Sequence, residues 1–111
     1  MPGLKITSGN YNQEINKPGI LLVNFLADWC GYCQQLKPEL DKLIQKLQNE
    51  KGIRVGSCDE AKNKDLIQSL GIKGFPTQKV FCSGTEQQDM TIPRDTEGMH
   101  QLLTQQNDTC R

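Results

Sequence analysis

The chain of 111 residues has no charge excess: thirteen basic and thirteen acidic side chains cancel. No net field is available to hold nucleic acid or an anionic membrane surface, and neither is expected as a partner. A long apolar run is also missing. The longest, Ile20 to Ala27, is about eight residues, far short of the roughly 20 that span a bilayer. Internal repeats, linkers and low-complexity stretches do not occur. Met1-Pro2-Gly3-Leu4-Lys5-Ile6 lacks the basic start and apolar stretch of a secretory leader, and Asp108-Thr109-Cys110-Arg111 is no retention signal. Five cysteines are an odd number, which leaves at least one unpaired in a monomer. That count speaks against a secreted scaffold stapled by disulfides and for a reducing compartment. A cytoplasmic location is therefore expected, or the endoplasmic reticulum lumen if the chain is excised from a secretory protein. The length suits a single domain, 1–111, with one core.

Against these absences stands Trp29-Cys30-Gly31-Tyr32-Cys33. Upstream, Ile20 to Ala27 is apolar except at Asn24 and reads as a strand buried on both faces. Downstream, Leu36, Leu40, Leu43, Ile44 and Leu47 recur at helical spacing. Cys30 is thus expected where a helix's first N–H groups lack partners, with Cys33 about one turn further in. The thiolate is the nucleophile, and the positive end of a helix stabilises it.

The remaining elements follow from local signals. Leu4 to Thr7 reads as a short strand, and Ser8 as the cap of a weak helix through Ile15. Pro18-Gly19 turns the chain into the buried strand, and the long helix runs from about Cys30 to Gln48. Ile53 to Cys58 is a strand, Lys62 to Leu70 a short helix with Gly71 just past its end. Thr77 to Cys82 is a strand, and after the Ser83-Gly84 turn, Gln88 to Ile92 is its expected hairpin partner. Thr96 is expected to cap a last helix carrying Met99, Leu102 and Leu103. This order implies an α/β fold with a central mixed sheet and helices on both faces. Active groups in such sheets gather at the carboxyl ends of strands, where Cys30 lies.

Cys-x-x-Cys spacing also suits zinc, but that metal needs four ligands, and His100 is the only histidine. Cys58, Cys82 and Cys110 are scattered singly, so no metal and no cofactor is expected. Beside a βαβ pattern the pair reads as a redox dithiol. Cys58 and Cys82 read as small apolar side chains at strand ends, and Cys110 as an exposed tail thiol open to oxidation or dimer linkage. Pro38 lies inside the long helix, where it removes the N–H that would bond the Gln34 carbonyl. Trp29 reads as an apolar shelf for substrate beside the cysteines, or alternatively as a core residue. The Tyr32 hydroxyl either bonds a thiolate or faces water.

These motifs resemble the thioredoxin superfamily and, within it, the catalytic domain of protein disulfide isomerases, over nearly the whole chain. Trp29 to Cys33 looks like the family's WCGxC active site. Leu36-Lys37-Pro38 is similar to the segment that puts a proline into the active-site helix. Gly71-Ile72-Lys73-Gly74-Phe75-Pro76-Thr77 resembles the loop ending in a cis-proline and threonine. The stretch from Asp59 to Leu70, and Pro93-Arg94-Asp95-Thr96-Glu97-Gly98, lean towards the isomerases. The resemblance implies a thioredoxin fold and disulfide exchange at Cys30 and Cys33. It further implies that Arg94 assists the resolving cysteine and that the Phe75–Pro76 bond is cis. A cis turn facing Cys30 would leave Phe75's backbone to pair with an extended substrate.

Two departures stand out. The family buries a carboxylate at the strand position of Asn24, where it takes the proton of the inner thiol; an amide cannot titrate. Slower resolution by Cys33 is expected, with Asp28 a poor substitute. Gly31-Tyr32 replaces the family's common Gly-Pro and Gly-His pairs, and a potential between those of thioredoxin and the isomerases, which differ by roughly 90 mV, is expected. The function read from the sequence is a thiol–disulfide oxidoreductase of the isomerase type. The alternatives are a thioredoxin-like general reductase or a weakly active protein-binding module. Its partners would be proteins carrying disulfides or dithiols and a reductant or oxidant such as glutathione or a reductase, with the chain acting as a monomer.

Overall fold

The apolar run becomes the centre of the sheet. The computed structural model describes residues 3–110; Met1, Pro2 and Arg111, on which both readings of the chain ends partly rest, lie outside the described residues. Strand β2 (Ile20–Leu26) is buried along its whole length. It pairs in parallel with β3 (Ile53–Asp59) on one side and antiparallel with β4 (Thr77–Cys82) on the other. β1 (Leu4–Lys5) adds in parallel to β3, and β5 (Thr85–Glu86) antiparallel to β4, giving the order β1-β3-β2-β4-β5.

Successive strand residues point to opposite faces, so β2 feeds two cores. Ile20, Leu22 and Leu26 pack with residues of α2 (Gly31–Leu47) and α4 (Thr96–Thr109). Leu21, Val23 and Phe25 pack with Tyr11 of α1 (Tyr11–Ile15) and Leu66 and Ile67 of α3 (Lys64–Ser69). This is the mixed sheet with helices on both faces that the order of elements implies. α2 turns Cys33, Leu36, Leu40, Leu43 and Leu47 inward; the four leucines are those expected, while Ile44 is half-buried at the edge of the core. Each leucine so buried contributes roughly 1.5–3 kcal/mol. The helix continues through Pro38 from Gly31 to Leu47.

The expected elements are corrected in four places. Ser8 does not cap α1; Asn10 precedes it, and the Ser8 hydroxyl donates instead to Asp65 Oδ1 at 2.6 Å. The helix expected from Lys62 splits into a 3-10 turn, Glu60–Lys62, and α3, because Asn63 leaves helical geometry. Asn63 is buried and spends its side chain on the Asp59 carbonyl and the Ser8 N–H. The hairpin partner of β4 is Thr85–Glu86, not Gln88 to Ile92. Ser83 and Gly84 both have positive φ, which closes the hairpin within two residues and brings Thr85 directly opposite Cys82. The cap of α4 is Asp95 rather than Thr96: Asp95 Oδ2 accepts the Gly98 N–H at 2.9 Å.

The cysteine reading is corrected as well. Cys82 and Cys110 form a disulfide, with Cα atoms 5.8 Å apart, and the free thiols are Cys30, Cys33 and Cys58. The odd count is one bond plus three thiols, so it does not argue against a disulfide, and Cys110 is not a free tail thiol. Cys58 is fully buried, as expected for a small apolar side chain, and burial pushes its thiol up to about 11.

The bond closes a part of the fold that packing leaves open. From Thr104 to Thr109 α4 buries no residue, and its last turn has no basic side chain to meet the negative end of the helix. Among the described residues, the Asn107 amide, donating to the Lys51 carbonyl at 3.2 Å, adds to the disulfide there. In a Cys30→Ser/Cys33→Ser background, reducing Cys82–Cys110 should cost about 3 kcal/mol and lower the unfolding midpoint by roughly 10 °C. Thermal melts followed by circular dichroism with and without dithiothreitol would measure this, and coincident melts would contradict it.

Candidate active site

α2 begins where β2 has run out at the carboxyl edge of the sheet. Cys30 is the residue before the first helical one, with extended backbone (φ −93°, ψ 116°), and its N–H donates to the Ala27 carbonyl at 3.2 Å. From there its Sγ accepts the N–H of Cys33 at 3.1 Å. A sulfur thus does the work usually done by a serine or aspartate oxygen: it satisfies a helix N–H that has no partner within the helix. The same N–H and the helix dipole favour negative charge on that sulfur. Gln34 tightens the entrance, its N–H reaching the Cys30 carbonyl at 3.3 Å and its side chain the Asp28 carbonyl at 3.1 Å.

The two thiols have different surroundings. Cys30 retains 5 % exposure and Cys33 none. Burial, first, and the hydrogen bond to Cys30, second, push the Cys33 thiol above its ordinary range; the Ala27 backbone and the Lys37 ammonium act against this. A Cβ on Gly31 would meet nothing within 4 Å, so the space beside this residue is open.

Around the pair, the large exposed apolar side chains are Trp29 and Tyr32, 72 % and 65 % exposed. Trp29 is therefore a surface residue, not part of the core. Its ring meets the half-buried Phe75 edge-on, with centroids 5.6 Å apart. The Phe75–Pro76 bond is cis, as the resemblance implies, and Pro76 is buried. Tyr32 faces the Arg94 guanidinium, whose Cζ lies 6.0 Å from the ring centroid. Arg94 is exposed, and the turn that carries it is fixed to α2: the Glu39 carboxylate accepts the Thr96 N–H at 2.9 Å and hydroxyl at 2.8 Å. Those bonds hold the Glu39 carboxyl below its usual range. Asp28 is exposed, 4.0 Å from Lys37 Nζ.

Asn24 is fully buried, and both ends of its amide are used. Its Nδ2 donates to the Gly56 carbonyl at 2.9 Å, and its Oδ1 accepts from Gln78 Nε2 at 2.8 Å. It lies on the same face of β2 as Leu22 and Leu26, which pack in one core with Cys33 and Met99. Gln78 was not singled out by sequence reasoning. The available signal is a polar residue two before Val80 and four before Cys82, on a stripe that otherwise faces that core.

A family model described as Thioredoxin matches residues 3–105. Among curated proteins, the chain is 37 % identical over 107 residues to protein disulfide-isomerase like 2-2 of Arabidopsis thaliana, covering 95 % of this chain and 23 % of that protein. It is 34 % identical over 103 residues to a probable protein disulfide-isomerase A4 of Caenorhabditis elegans, covering 92 % of this chain and 16 % of that protein. The chain spans about a fifth of the length of such relatives. Among solved structures, the first thioredoxin domain of mouse protein disulfide-isomerase A4 superposes with a TM-score of 0.76 at 26 % identity, covering 91 % of this chain and 72 % of that one. Human ERp44 in a zinc-bound form gives 0.81 at 25 % identity, covering 96 % of this chain and 30 % of that one.

The unequal surroundings of the two thiols have a direct chemical readout. In the reduced protein at neutral pH, iodoacetamide should label Cys30 first, with Cys33 and Cys58 modified at a rate at least tenfold lower until the chain is denatured. Peptide mass spectrometry after timed quenching checks the order, and equal rates at Cys30 and Cys33 would contradict it.

Proposed function

The chain belongs to the thioredoxin family, and we propose that it is a thiol–disulfide oxidoreductase of the protein disulfide isomerase type, working through Cys30 and Cys33. The observation that carries this reading is the Cys33 N–H to Cys30 Sγ hydrogen bond at the start of α2. It puts an outer sulfur where negative charge is favoured and an inner sulfur less than a turn away. The likeness to proteins named protein disulfide-isomerases supports it independently.

In the reductive direction, the Cys30 thiolate attacks one sulfur of a substrate disulfide. A Cys30–substrate bond forms, and the other substrate sulfur leaves with the electron pair. Cys33, once deprotonated, attacks Cys30 Sγ, closes the Cys30–Cys33 disulfide and expels the second substrate sulfur, which takes up a proton. The reverse sequence donates a disulfide to a dithiol. A dithiol reductase or glutathione would return the pair to its starting state, and the chain would act as a monomer and as one domain. Trp29, Phe75 and Pro76 would hold an extended substrate segment beside Cys30: the exposed Trp29 face and the Trp29–Phe75 edge contact offer an apolar shelf. Gly31 leaves open space next to Cys30. Arg94, above the Tyr32 ring, would stabilise charge near the pair as Cys33 attacks.

An insulin-reduction assay beside refolding of scrambled ribonuclease separates this reading from a general reductase, which would score in the first alone. Cys30→Ser should abolish both activities. Cys33→Ser should retain the first attack and accumulate a mixed disulfide on Cys30, visible as a mass adduct. Failure of the wild type in both assays would overturn the proposal. Trp29→Ala should raise KM for a protein substrate about tenfold, the loss of roughly 1.4 kcal/mol of contact, and leave kcat on a small disulfide unchanged. An equal loss on both substrates would remove Trp29 from the substrate shelf.

A further inference from the structure

α2 and the turn before α4 enclose a cleft of about 410 Å³ beside the redox pair. Tyr32, Gln35, Leu36 and Glu39 line one side; spaced three and four apart, they share one face of α2. Arg94 and Asp95 line the other side. Leu36 is buried beneath them. Tyr32 stands between the two cysteines in the chain, and from there to Glu39 the helix advances roughly 10 Å.

The polar groups of this cleft divide into spent and unspent. Glu39 Oε1 accepts the Thr96 N–H and hydroxyl, and its Oε2 lies 3.8 Å from Lys42 Nζ. Asp95 Oδ2 accepts the Gly98 N–H at the positive end of α4. Each carboxylate thus has its charge answered within the fold. Arg94 does not: among the described residues no carboxylate pairs with its guanidinium, which lies over the Tyr32 ring at 6.0 Å. The Gln35 amide and the Tyr32 hydroxyl also have no hydrogen-bond partner among the described residues, and all three side chains are exposed. A cation, an amide and a phenol with donors to spare make a receptor for a carboxylate. The guanidinium can hold both oxygens in a fork, and the amide or phenol can add a third bond.

We propose that this cleft is a substrate subsite in which Arg94, with Gln35 and Tyr32, receives an acidic side chain of the protein whose disulfide Cys30 attacks. This rests on the exchange chemistry proposed above and adds a sequence preference to it. An extended chain advances roughly 3.3 Å per residue, so the acid belongs about two to four residues from the substrate cysteine. The Trp29–Phe75 shelf offers apolar surface and no charge with which to choose among substrates. Lys37, the other cation near the pair, stands 4.0 Å from Asp28. The choice by charge therefore falls to Arg94. Any help that Arg94 gives when Cys33 attacks is common to all substrates and divides out of a comparison between them.

The test uses peptides joined by a disulfide to one small reporter thiol, with Glu, Gln or Lys three residues from the cysteine on either side. Reporter release from excess peptide by the reduced protein is followed in a single turnover, which gives the half-saturating concentration and the maximal rate separately. On one side of the cysteine, Glu should half-saturate at a concentration about fivefold below that of Gln, at the same maximal rate, and Lys should lie above Gln. Salt at roughly 0.5 M should more than halve that preference. Arg94→Gln should bring the Glu-to-Gln ratio to about one. Arg94→Lys should keep part of the preference, because the charge remains and the fork is lost. Gln35→Leu should weaken it and leave the rate on the Gln peptide unchanged.

Equal half-saturation by Glu and Gln on both sides of the cysteine overturns the subsite, and needs no variant to do so. A preference for Lys overturns it too, as does a Glu preference that survives in Arg94→Gln, the outcome if Arg94 were merely structural. If no peptide releases its reporter, the exchange chemistry itself is wrong. That result is distinct from release by all peptides at one half-saturating concentration, which refutes the subsite alone.

Discussion

The hydrogen bond from the Cys33 N–H to the Cys30 sulfur depends on most of the molecule being where it is. It exists because β2 ends at the sheet's carboxyl edge and α2 starts there, with Cys30 in extended backbone immediately before the first turn. The helix stays in place because five inward residues, from Cys33 to Leu47, pack against the same face that Ile20, Leu22 and Leu26 present. Every element beneath the pair is thus needed to aim one N–H at one sulfur. A sheet buried on both faces gives the stiffness that such aim requires.

Beneath that polar contact the interior is electrically quiet. The amide of Asn24 is matched on both sides and contributes no charge at any pH. Polarity near the cysteines is arranged around the rim, with Lys37 and Asp28 on one side and Arg94 over Tyr32 on the other. A buried polar group is tolerated only when fully paired, and here the pairing also decides what the group can do. The outer sulfur takes its chemistry from the helix end, and the inner one takes its inertness from burial.

Much of this was legible in the chain because it is written locally. The β2 run, the α2 stripe and the Cys-x-x-Cys spacing each lie within a few turns of sequence, and hydrophobic periodicity reports such features directly. What escaped depends on partners distant in the chain. β5 was placed too late because the apolar Met90 and Ile92 look like strand residues, whereas the tight Ser83-Gly84 turn commits Thr85 to pairing at once. Asp95 displaced Thr96 as cap because the Thr96 hydroxyl is drawn off to Glu39, 57 residues away. Gln78 gained meaning only when the antiparallel register set it opposite Asn24. The Cys82–Cys110 bond had no signature at all, since spacing does not encode which cysteines meet.

That bond lies at the far pole from the reacting pair. Cys82 is registered against Ile20, the first residue of β2, while Cys30 follows the last, so about seven strand residues, on the order of 20 Å, separate the two sulfur centres. If the pair exchanges disulfides as proposed, Cys30 is thereby kept from opening the one that secures its own scaffold. Self-digestion within a molecule is forbidden by distance, and only a second copy arriving from outside can commit it.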